Sequence, residues 1–459
     1  MSSPFQGIET ASRALRAFQR SLDTTGHNIA NVNSTGYSRQ TVSLAATPAL
    51  TEFGGHEYSI GTGVNISTIA RIRDSMLEQR RQTAFSQQGQ AESSLGNLEK
   101  VQSMFLDVQG SGISDSLSTF FNSWSALGSD PTNAGNLLAV QSAGRDLASK
   151  ISSTYSQLKA QATDQGTQAS QTIGDIQNLA NKIADLNAGI RKDLARGGSP
   201  NDMMDERDQA VADLSKLVNI TTNTASDGAI VVSVGGLSLV DQVGAKTFPT
   251  TFDAASGTVS DSVGSWPISG GKLKGIFDAT NQVNGYMGQL DNLANTLRTQ
   301  VNAVHMAGYT ANGSTGVAFF NDSVPQTGAI DFALSSAVDS NPQNIVVGTT
   351  SAASDGSAAL ALSNMRDTKV AGLGNRTMGD YYTSLITTVG RDVSVAQNNV
   401  DTANALSEQV EAQVQDVSGV NLDDEMSDML KFQRSYQASA KVLSTMDQVM
   451  GDLMNMLNR

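Results

Sequence analysis

The side chains of this chain best suited to metal binding or proton transfer are its three histidines, His27, His56 and His305. They are widely separated and form neither a ligand pair on one helix nor a short metal-binding motif. Cysteine is absent, which excludes disulfides, thiolate catalysis and thiolate metal sites. We therefore expect structural histidines, no metal site and no cofactor.

A second candidate for chemistry is the acidic triplet Asp423, Asp424 and Glu425. It lacks the alternating oxygen ligands of a calcium loop and is typical of the first turn of a helix, where negative charge interacts favourably with the helix dipole. The glycine-containing segments 54–55 and 61–63 lack the following helix and acidic residue of a nucleotide-binding site. The chain is therefore predicted not to be an enzyme.

Length and charge restrict the class of protein. A chain of 459 residues is long enough for two to four domains. Its net charge of -14 argues against nucleic acid and against a membrane as partners, because both bind basic patches. The N-terminal segment lacks the apolar core and small-residue cleavage site of a secretory signal. If the protein leaves the cytoplasm, we expect it to be secreted without a cleaved signal peptide.

Both ends of the chain carry apolar residues at intervals of seven, the spacing of helices that pack lengthwise on other helices. At the N-terminus the pattern predicts a helix from about Pro4 to Ala30. Its apolar stripe consists of Ile8, Leu15, Phe18, Leu22 and Ile29. The C-terminal stripe consists of Leu422, Met429, Tyr436, Leu443, Met450 and Leu457. Polar Gln433 and Asp447 occupy intermediate positions between the residues of the C-terminal stripe, so the apolar seam is imperfect. We therefore expect this helix to find its neighbours only on assembly.

Two segments between the ends break the helical pattern. Residues 228–240 contain β-branched runs around Gly235-Gly236, which predicts a tight hairpin, and residues 309–375 are rich in Gly, Ser and Asn. The predicted fold is mainly α with inserted β (α+β), with a long helical bundle and a coiled-coil stem formed from both termini. The predicted domains are a terminal stem (1–40 plus 419–459), a helical-bundle domain (41–218 plus 272–308 plus 376–418), a β-rich insert (219–271) and a second insert, mixed or β (309–375).

The segment that follows the first predicted helix reads TTGHNIANVNSTGYSRQ, residues 24–40. It resembles the N-terminal signature of the flagellar rod, hook and hook-associated axial proteins. Asparagine and glycine tolerate left-handed backbone, so these residues are also consistent with an ordinary loop that ends a helix. The signature residues are Asn28, Asn31, Asn33, Gly36, Tyr37, Ser38, Arg39 and Gln40. Because the loop is polar, we expect it to act in assembly rather than in the stability of the subunit.

The C-terminal string SGVNLDDEMSDMLKFQRSYQASAKVLSTMDQVM, residues 418–450, is similar to the partner signature of the same superfamily. GYSRQ at 36–40 and SGVNLDDEM at 418–426 resemble the family of the first hook-associated proteins, whereas hook and rod proteins usually carry other residues after the GY or GF. SPNDMMDERDQAVADLSKLVNI, residues 199–220, is similar to a helix in that family's long helical domain. The alternative within the superfamily is a hook or distal rod protein.

The resemblance implies a structural subunit of the bacterial flagellum, exported unfolded through the flagellar type III channel and located extracellularly at the hook-filament junction. The implied partners are further copies of itself in a ring-like junction zone, the hook protein, the second hook-filament junction protein, and the flagellar export chaperone and export apparatus. Both terminal helices are implied to line the inner tube as paired coils. An extracellular enzyme is a third hypothesis, but residues 219–375 contain no catalytic constellation that would support it.

Overall fold

The computed structural model of the protein describes residues 6–54, 56–105, 112–261, 264–322 and 328–457, with side chains described outside residues 50–60 and Leu457. Long helices dominate, and the strands form small antiparallel sheets, which confirms the predicted mainly α fold with inserted β. The chain divides into two compact units. Unit 1 comprises Met1–Gln87, Asp175–Phe248 and Ala403–Arg459, and unit 2 comprises Gln88–Gly174 and Pro249–Thr402.

The helices supply most of both units. Those of the described ranges are α1 Gln6–Ala30, α2 Ser75–Met104, α3 Ile113–Ser129, α4 Ala134–Leu194, α5 Asn201–Leu217, α6 Gly271–Ala307, α7 Ser336–Ser340, α8 Ser357–Asn364, α9 Met378–Ser418 and α10 Leu422–Leu457. Helix α1 ends at the predicted residue, whereas the predicted start at Pro4 lies outside the described residues. Gly419 forms the corner between α9 and α10, where a Cβ atom would lie 2.4 Å from the Gln415 carbonyl oxygen.

The strands are short and pair antiparallel. They are β1 Gln40–Ala46, β2 Leu50–Gly54, β3 His56–Ile60, β4 Val64–Arg71, β5 Ile220–Thr224, β6 Ile230–Val234, β7 Leu237–Val240, β8 Thr251–Asp253, β9 Thr258–Ser260, β10 Ser265–Pro267, β11 Tyr309–Thr310 and β12 Val346–Gly348. The sheets contain β1-β4, β2-β3, β5-β6-β7, β10-β9-β8 and β11-β12.

The predicted hairpin around Gly235-Gly236 joins β6 to β7. Val234 pairs with Leu237, so the turn consists of the two glycines alone. Their φ angles are 56° and 85°, and a two-residue hairpin turn with positive φ at both positions favours glycine. The hairpin prediction is confirmed.

A ribbon made of β1 and β4 was not predicted, since residues 41 onward were expected to belong to a helical bundle. The strands pair from Gln40 with Arg71 to Ala46 with Val64, with an irregularity after Ser43. Much of the ribbon is exposed, and Leu44 retains 39% of its accessible surface. The ribbon does not have one buried and one solvated face, which explains why a clear apolar alternation is missing from its sequence.

The core of unit 2 contains an aromatic cluster in which His305 is fully buried beside Trp124 and Phe319. The His305 Nδ1 atom lies 2.6 Å from the Val317 carbonyl oxygen, and its Nε2 atom accepts the Val346 N–H at 3.0 Å. A neutral imidazole satisfies both contacts, and burial lowers the pKa of His305 to about 4. His305 therefore has a structural role.

Unit 1 includes a small apolar cluster between α2 and α9. Ala84 of α2 packs with Val410 and Val414 of α9.

Across the residues that the structure describes, no group of three or more His, Asp or Glu side chains could hold a metal ion. Within the same residues, no helix is both long and apolar enough to cross a membrane.

Candidate functional site at the joined termini

Helix α10 packs lengthwise against α1 within one chain. The buried face of α1 is made of small or polar residues: Ala11, Ala17, Ser21, Thr24, Thr25 and Asn28. Small side chains let the two helices approach closely, and a Cβ atom on Gly7 would lie 3.2 Å from the Met446 Cε atom. The expectation that the C-terminal helix finds its neighbour only on assembly is therefore corrected, because α1 already covers one of its faces.

The predicted apolar stripes lie along this pair but are incompletely covered. Half-buried positions are Ile8, Leu15, Phe18, Leu22, Ile29, Met429, Leu443 and Met450. Leu422 is 45% exposed and Tyr436 is 36% exposed, while the Leu457 side chain lies outside the described residues. Among the described side chains of α10, only Glu425 is fully buried. Large apolar surface is thus still available on the paired helices.

A second apolar stripe on α10 was missed by the sequence analysis. It consists of Val442, Met446, Val449, Leu453 and Met456, which retain between 38% and 75% of their accessible surface. Their spacing of four and three residues places them in one row along the helix, beside the predicted stripe. The sequence contains this stripe as a second set of regularly spaced apolar residues in the same segment. We call these five residues the outer stripe.

Asn28 links the end of α1 to the signature loop and to α10. Its Nδ2 atom donates to the Gln40 carbonyl oxygen at 2.9 Å and to the Glu425 carboxylate at 3.0 Å. Its Oδ1 atom accepts the Tyr37 hydroxyl at 2.7 Å and the Gln40 N–H at 3.0 Å. Asn28 is 1% exposed, and these four bonds use both donors and both acceptor positions of its amide.

Arg39 joins the loop to the corner between α9 and α10. Its Nε atom donates to Glu425 Oε1 at 2.6 Å, and the Glu425 side chain is 2% exposed. The Arg39 N–H donates to the Ser418 carbonyl oxygen, and the Arg39 carbonyl oxygen accepts the Ile72 N–H. Glu425 lies in the first turn of α10, as predicted for the acidic triplet. Its carboxylate also accepts hydrogen bonds from Arg39 and Asn28.

The loop is more firmly held than its polar sequence suggests. Ser38 and Gln40 are buried, and burial together with nearby carboxylates raises the pKa of Tyr37, which keeps its hydroxyl protonated as a donor. Gly36 has a φ of 80°, whereas neither Asn31 nor Asn33 is among the described residues with positive φ. Asn31 instead donates to the His27 carbonyl oxygen. Hydrogen bonds thus stabilise a loop that was expected to contribute little to subunit stability.

The loop is also bound by α5, whose acidic residues were not among the predicted site residues. The Gln40 Nε2 atom donates to Asp202 at 3.1 Å, and Asn201 donates to the Gln40 Oε1 atom at 3.1 Å. The Ser38 N–H donates to Asp205 at 3.2 Å. The spacing of Asp202, Asp205 and Asp208 at three-residue intervals on one helix was the available signal.

Family models of known proteins match both ends of the chain and a long segment between them. Residues 98–320 match the family model described as "Flagellar hook-associated protein FlgK helical domain". Residues 8–37 match a flagella basal body rod protein model, and residues 416–456 match a model of the flagellar basal body rod FlgEFG protein C-terminal region. The two terminal matches therefore contain the two helices that pack together.

Full-length relatives agree with these matches. The chain is 28% identical to flagellar hook-associated protein 1 of Bacillus subtilis, with 99% of each chain covered. It is 25% identical to the protein of that name from Salmonella typhimurium, covering 98% of this chain and 99% of the relative. The solved structure of the flagellar hook junction protein FlgK from Burkholderia pseudomallei shares the fold, with a TM-score of 0.64 at 15% identity over 74% of this chain and 100% of that one. The chain is thus similar to flagellar hook-associated protein 1 over nearly its whole length.

Proposed function

We propose that the protein is a non-enzymatic structural subunit of the bacterial flagellum that forms the junction between hook and filament. The observation that carries this proposal is the α1–α10 pair, which is joined through Asn28, Arg39 and Glu425 and leaves the outer stripe exposed. An exposed apolar row of this kind favours association with another helix. The relatives named hook-associated protein 1 support the location.

The partner proposed for the outer stripe is another copy of the chain, so that paired terminal helices line an inner tube. Charge supports this arrangement. Residues 1–40 carry four arginines and two acidic residues, a net charge of +2, and residues 401–459 carry four basic and ten acidic residues, a net charge of -6. Exposed ion pairs contribute about 0–1 kcal/mol each, so apolar burial supplies most of the attraction and charge favours the relative orientation.

The other proposed partners follow from the similarity to flagellar hook-associated protein 1. They are the hook protein on one side, the second hook-filament junction protein on the other, and the export chaperone and export apparatus before assembly. The proposed route is type III export without a cleaved signal peptide, which gives an extracellular location at the junction.

A hook or distal rod protein is the second candidate, favoured by the terminal matches to rod-protein models. The match of residues 98–320 to a hook-associated helical domain argues for the junction instead. Immunogold labelling of isolated hook-basal bodies and filaments distinguishes the two. Label at the distal end of the hook supports the junction, whereas label along the hook or rod supports the alternative.

Assembly through the outer stripe is tested with Val449→Asp. Val449 is 48% exposed in the chain, so the variant should fold and be secreted, yet a carboxylate buried in a helix interface should prevent assembly and leave hooks without filaments. Ser444→Asp introduces the same group at an exposed position on another face of α10 and should assemble normally. Normal filaments on Val449→Asp cells would exclude the outer stripe as the assembly surface.

A further inference from the structure

Behind the signature loop, arginines from the end of the β ribbon meet two aspartates of α5, all within unit 1. Arg71 Nη1 lies 2.7 Å from an Asp205 carboxylate oxygen and 2.9 Å from an Asp208 carboxylate oxygen. Arg73 Nη1 lies 2.8 Å from the same oxygen of Asp208. These side chains are between 8% and 15% exposed, so solvent screens their interaction weakly.

Ser38 connects this charge cluster to the signature loop. Its N–H donates to Asp205, and its hydroxyl accepts the Arg73 Nε–H at 2.9 Å. Ser38 is 1% exposed, so its backbone donor needs a partner inside the protein. Asp205 therefore binds the loop directly, while Asp208 acts through Arg71 and Arg73.

A third guanidinium group, that of Arg207, lies beside Asp208, with its Nε atom 3.5 Å from the Asp208 Oδ1 atom. Arg207 donates to the Asn187 side chain of α4 at 3.2 Å and to the Gly228 carbonyl oxygen at 2.7 Å. Burial lowers the pKa of Arg207, and the charges of Arg71 and Arg73 lower it further, while Asp208 opposes the shift. Asp208 thus offsets the mutual repulsion of three guanidinium groups.

We propose that Asp205 and Asp208 are positioning residues that set the direction of the α1–α10 pair relative to the rest of unit 1. They hold the loop at Ser38, and one residue later Arg39 holds the start of α10 through Glu425. The buried loop residues Asn28, Ser38 and Gln40 are all polar. The strength of charge-assisted hydrogen bonds depends strongly on geometry. They can therefore fix the direction of the α1–α10 pair at a loop whose buried residues are polar.

The functional importance of this direction rests on the proposed function, in which the α1–α10 pair is the assembling element. The positioning itself is a property of the isolated chain. The test below therefore needs no hook or filament, and a wrong assignment of the cellular location would leave its outcome unchanged.

The test is a distance measurement by pulsed electron spin resonance on the full chain. Because the sequence contains no cysteine, Thr224→Cys and Gln437→Cys give unique labels on β5 and on α10, at exposed positions of unit 1. The parent should give one narrow distance distribution. Asp205→Asn and Asp208→Asn should broaden it at least twofold at a temperature where circular dichroism shows the helices intact.

Asp213→Asn is the matched control, because Asp213 also lies on α5 but accepts from Gln209 instead of from the loop or the ribbon. It should leave the distribution narrow. Arg71→Gln combined with Asp205→Asn removes both members of an ion pair, so it should recover part of the melting temperature while the distribution stays broad. A narrow distribution in Asp205→Asn, or a distribution that narrows together with the recovered melting temperature, would show that the aspartates stabilise the fold without positioning the helices.

Discussion

The Arg39 guanidinium and the Glu425 carboxylate, 386 residues apart in sequence, form a hydrogen-bonded ion pair with a Nε to Oε1 distance of 2.6 Å. Asn28 donates to the second oxygen of the same carboxylate. The end of α1, the signature loop and the start of α10 therefore depend on a single buried acidic group. The two ends of the chain are joined by side chains from both matched terminal segments.

Arg39→Ala should destabilise the isolated subunit, in contrast to the expectation from the polar loop sequence. It leaves Glu425 buried without its cation, and breaking a buried pair costs about 3 kcal/mol, somewhat less here because Arg39 is 21% exposed. Scanning calorimetry or circular dichroism should show a lower melting temperature for unit 1. Arg16→Ala removes an exposed arginine from α1 and should leave the transition unchanged. Equal melting temperatures for both variants would mean that Arg39 acts only in assembly.

Leu443→Asp should loosen α10 in the isolated subunit, because Leu443 is half-buried against α1. Loss of a half-buried leucine contact is worth about 1 kcal/mol, and partial burial of the carboxylate adds to it. Hydrogen exchange of the α10 amides should accelerate, while exchange in unit 2 should not change. Ser444→Asp, at the neighbouring exposed position, should have little effect. If exchange is the same in both variants, the α1–α10 seam does not stabilise the free chain.

Gly275→Ala should destabilise unit 2. A Cβ atom at this position of α6 would lie 2.3 Å from the Gln90 carbonyl oxygen of α2, so the helices must separate, at a cost of about 1–3 kcal/mol. Gly285→Ala on the same helix meets no atom within 4 Å and should stabilise by about 0.5–1 kcal/mol through helix propensity. Urea denaturation of both variants measures the difference. Stabilisation by both substitutions would contradict the close packing of α2 on α6.

Acid should destabilise unit 2 through His305. Its pKa is about 4 in the folded protein and about 6.5 when unfolded, so its contribution is complete above pH 6.5 and is lost as the pH falls towards 4. The loss amounts to roughly 3 kcal/mol at most. His305→Gln lacks this titration, so the stability advantage of the parent should shrink between pH 6.5 and 4. An advantage that stays constant over this range would show that His305 is not held neutral.

Local sequence patterns predicted the elements of this fold better than the contacts between them. The apolar spacing that predicted a helix ending at Ala30 and the Gly235-Gly236 turn depend on neighbouring residues, and the structure has both the helix and the turn. The contact of Arg71 with Asp205 joins residues 134 positions apart, and a spacing pattern among neighbouring residues cannot predict such a contact. The ribbon of β1 and β4 was missed because its exposed positions need no regular apolar alternation.

The candidate site was predicted in part. The loop residues Asn28, Tyr37, Arg39 and Gln40 came from resemblance, and the structure brings them together at Glu425. The outer stripe was overlooked because the first apolar register of α10 already explained a helix. The first register identified the face that lies partly against α1. The outer stripe remains between 38% and 75% exposed, although its Met446 lies beside Gly7 of α1.

The small buried face of α1 has a mechanical consequence. Buried side chains of α1 such as Ala11, Ala17 and Ser21 are small, and flexible Met446 lies beside Gly7. Polar contacts therefore fix the axial register of α1 and α10 mainly at one end, where Asn28 and Arg39 donate hydrogen bonds to Glu425. We therefore expect small axial shifts of the two helices to be easier away from Glu425 than beside it.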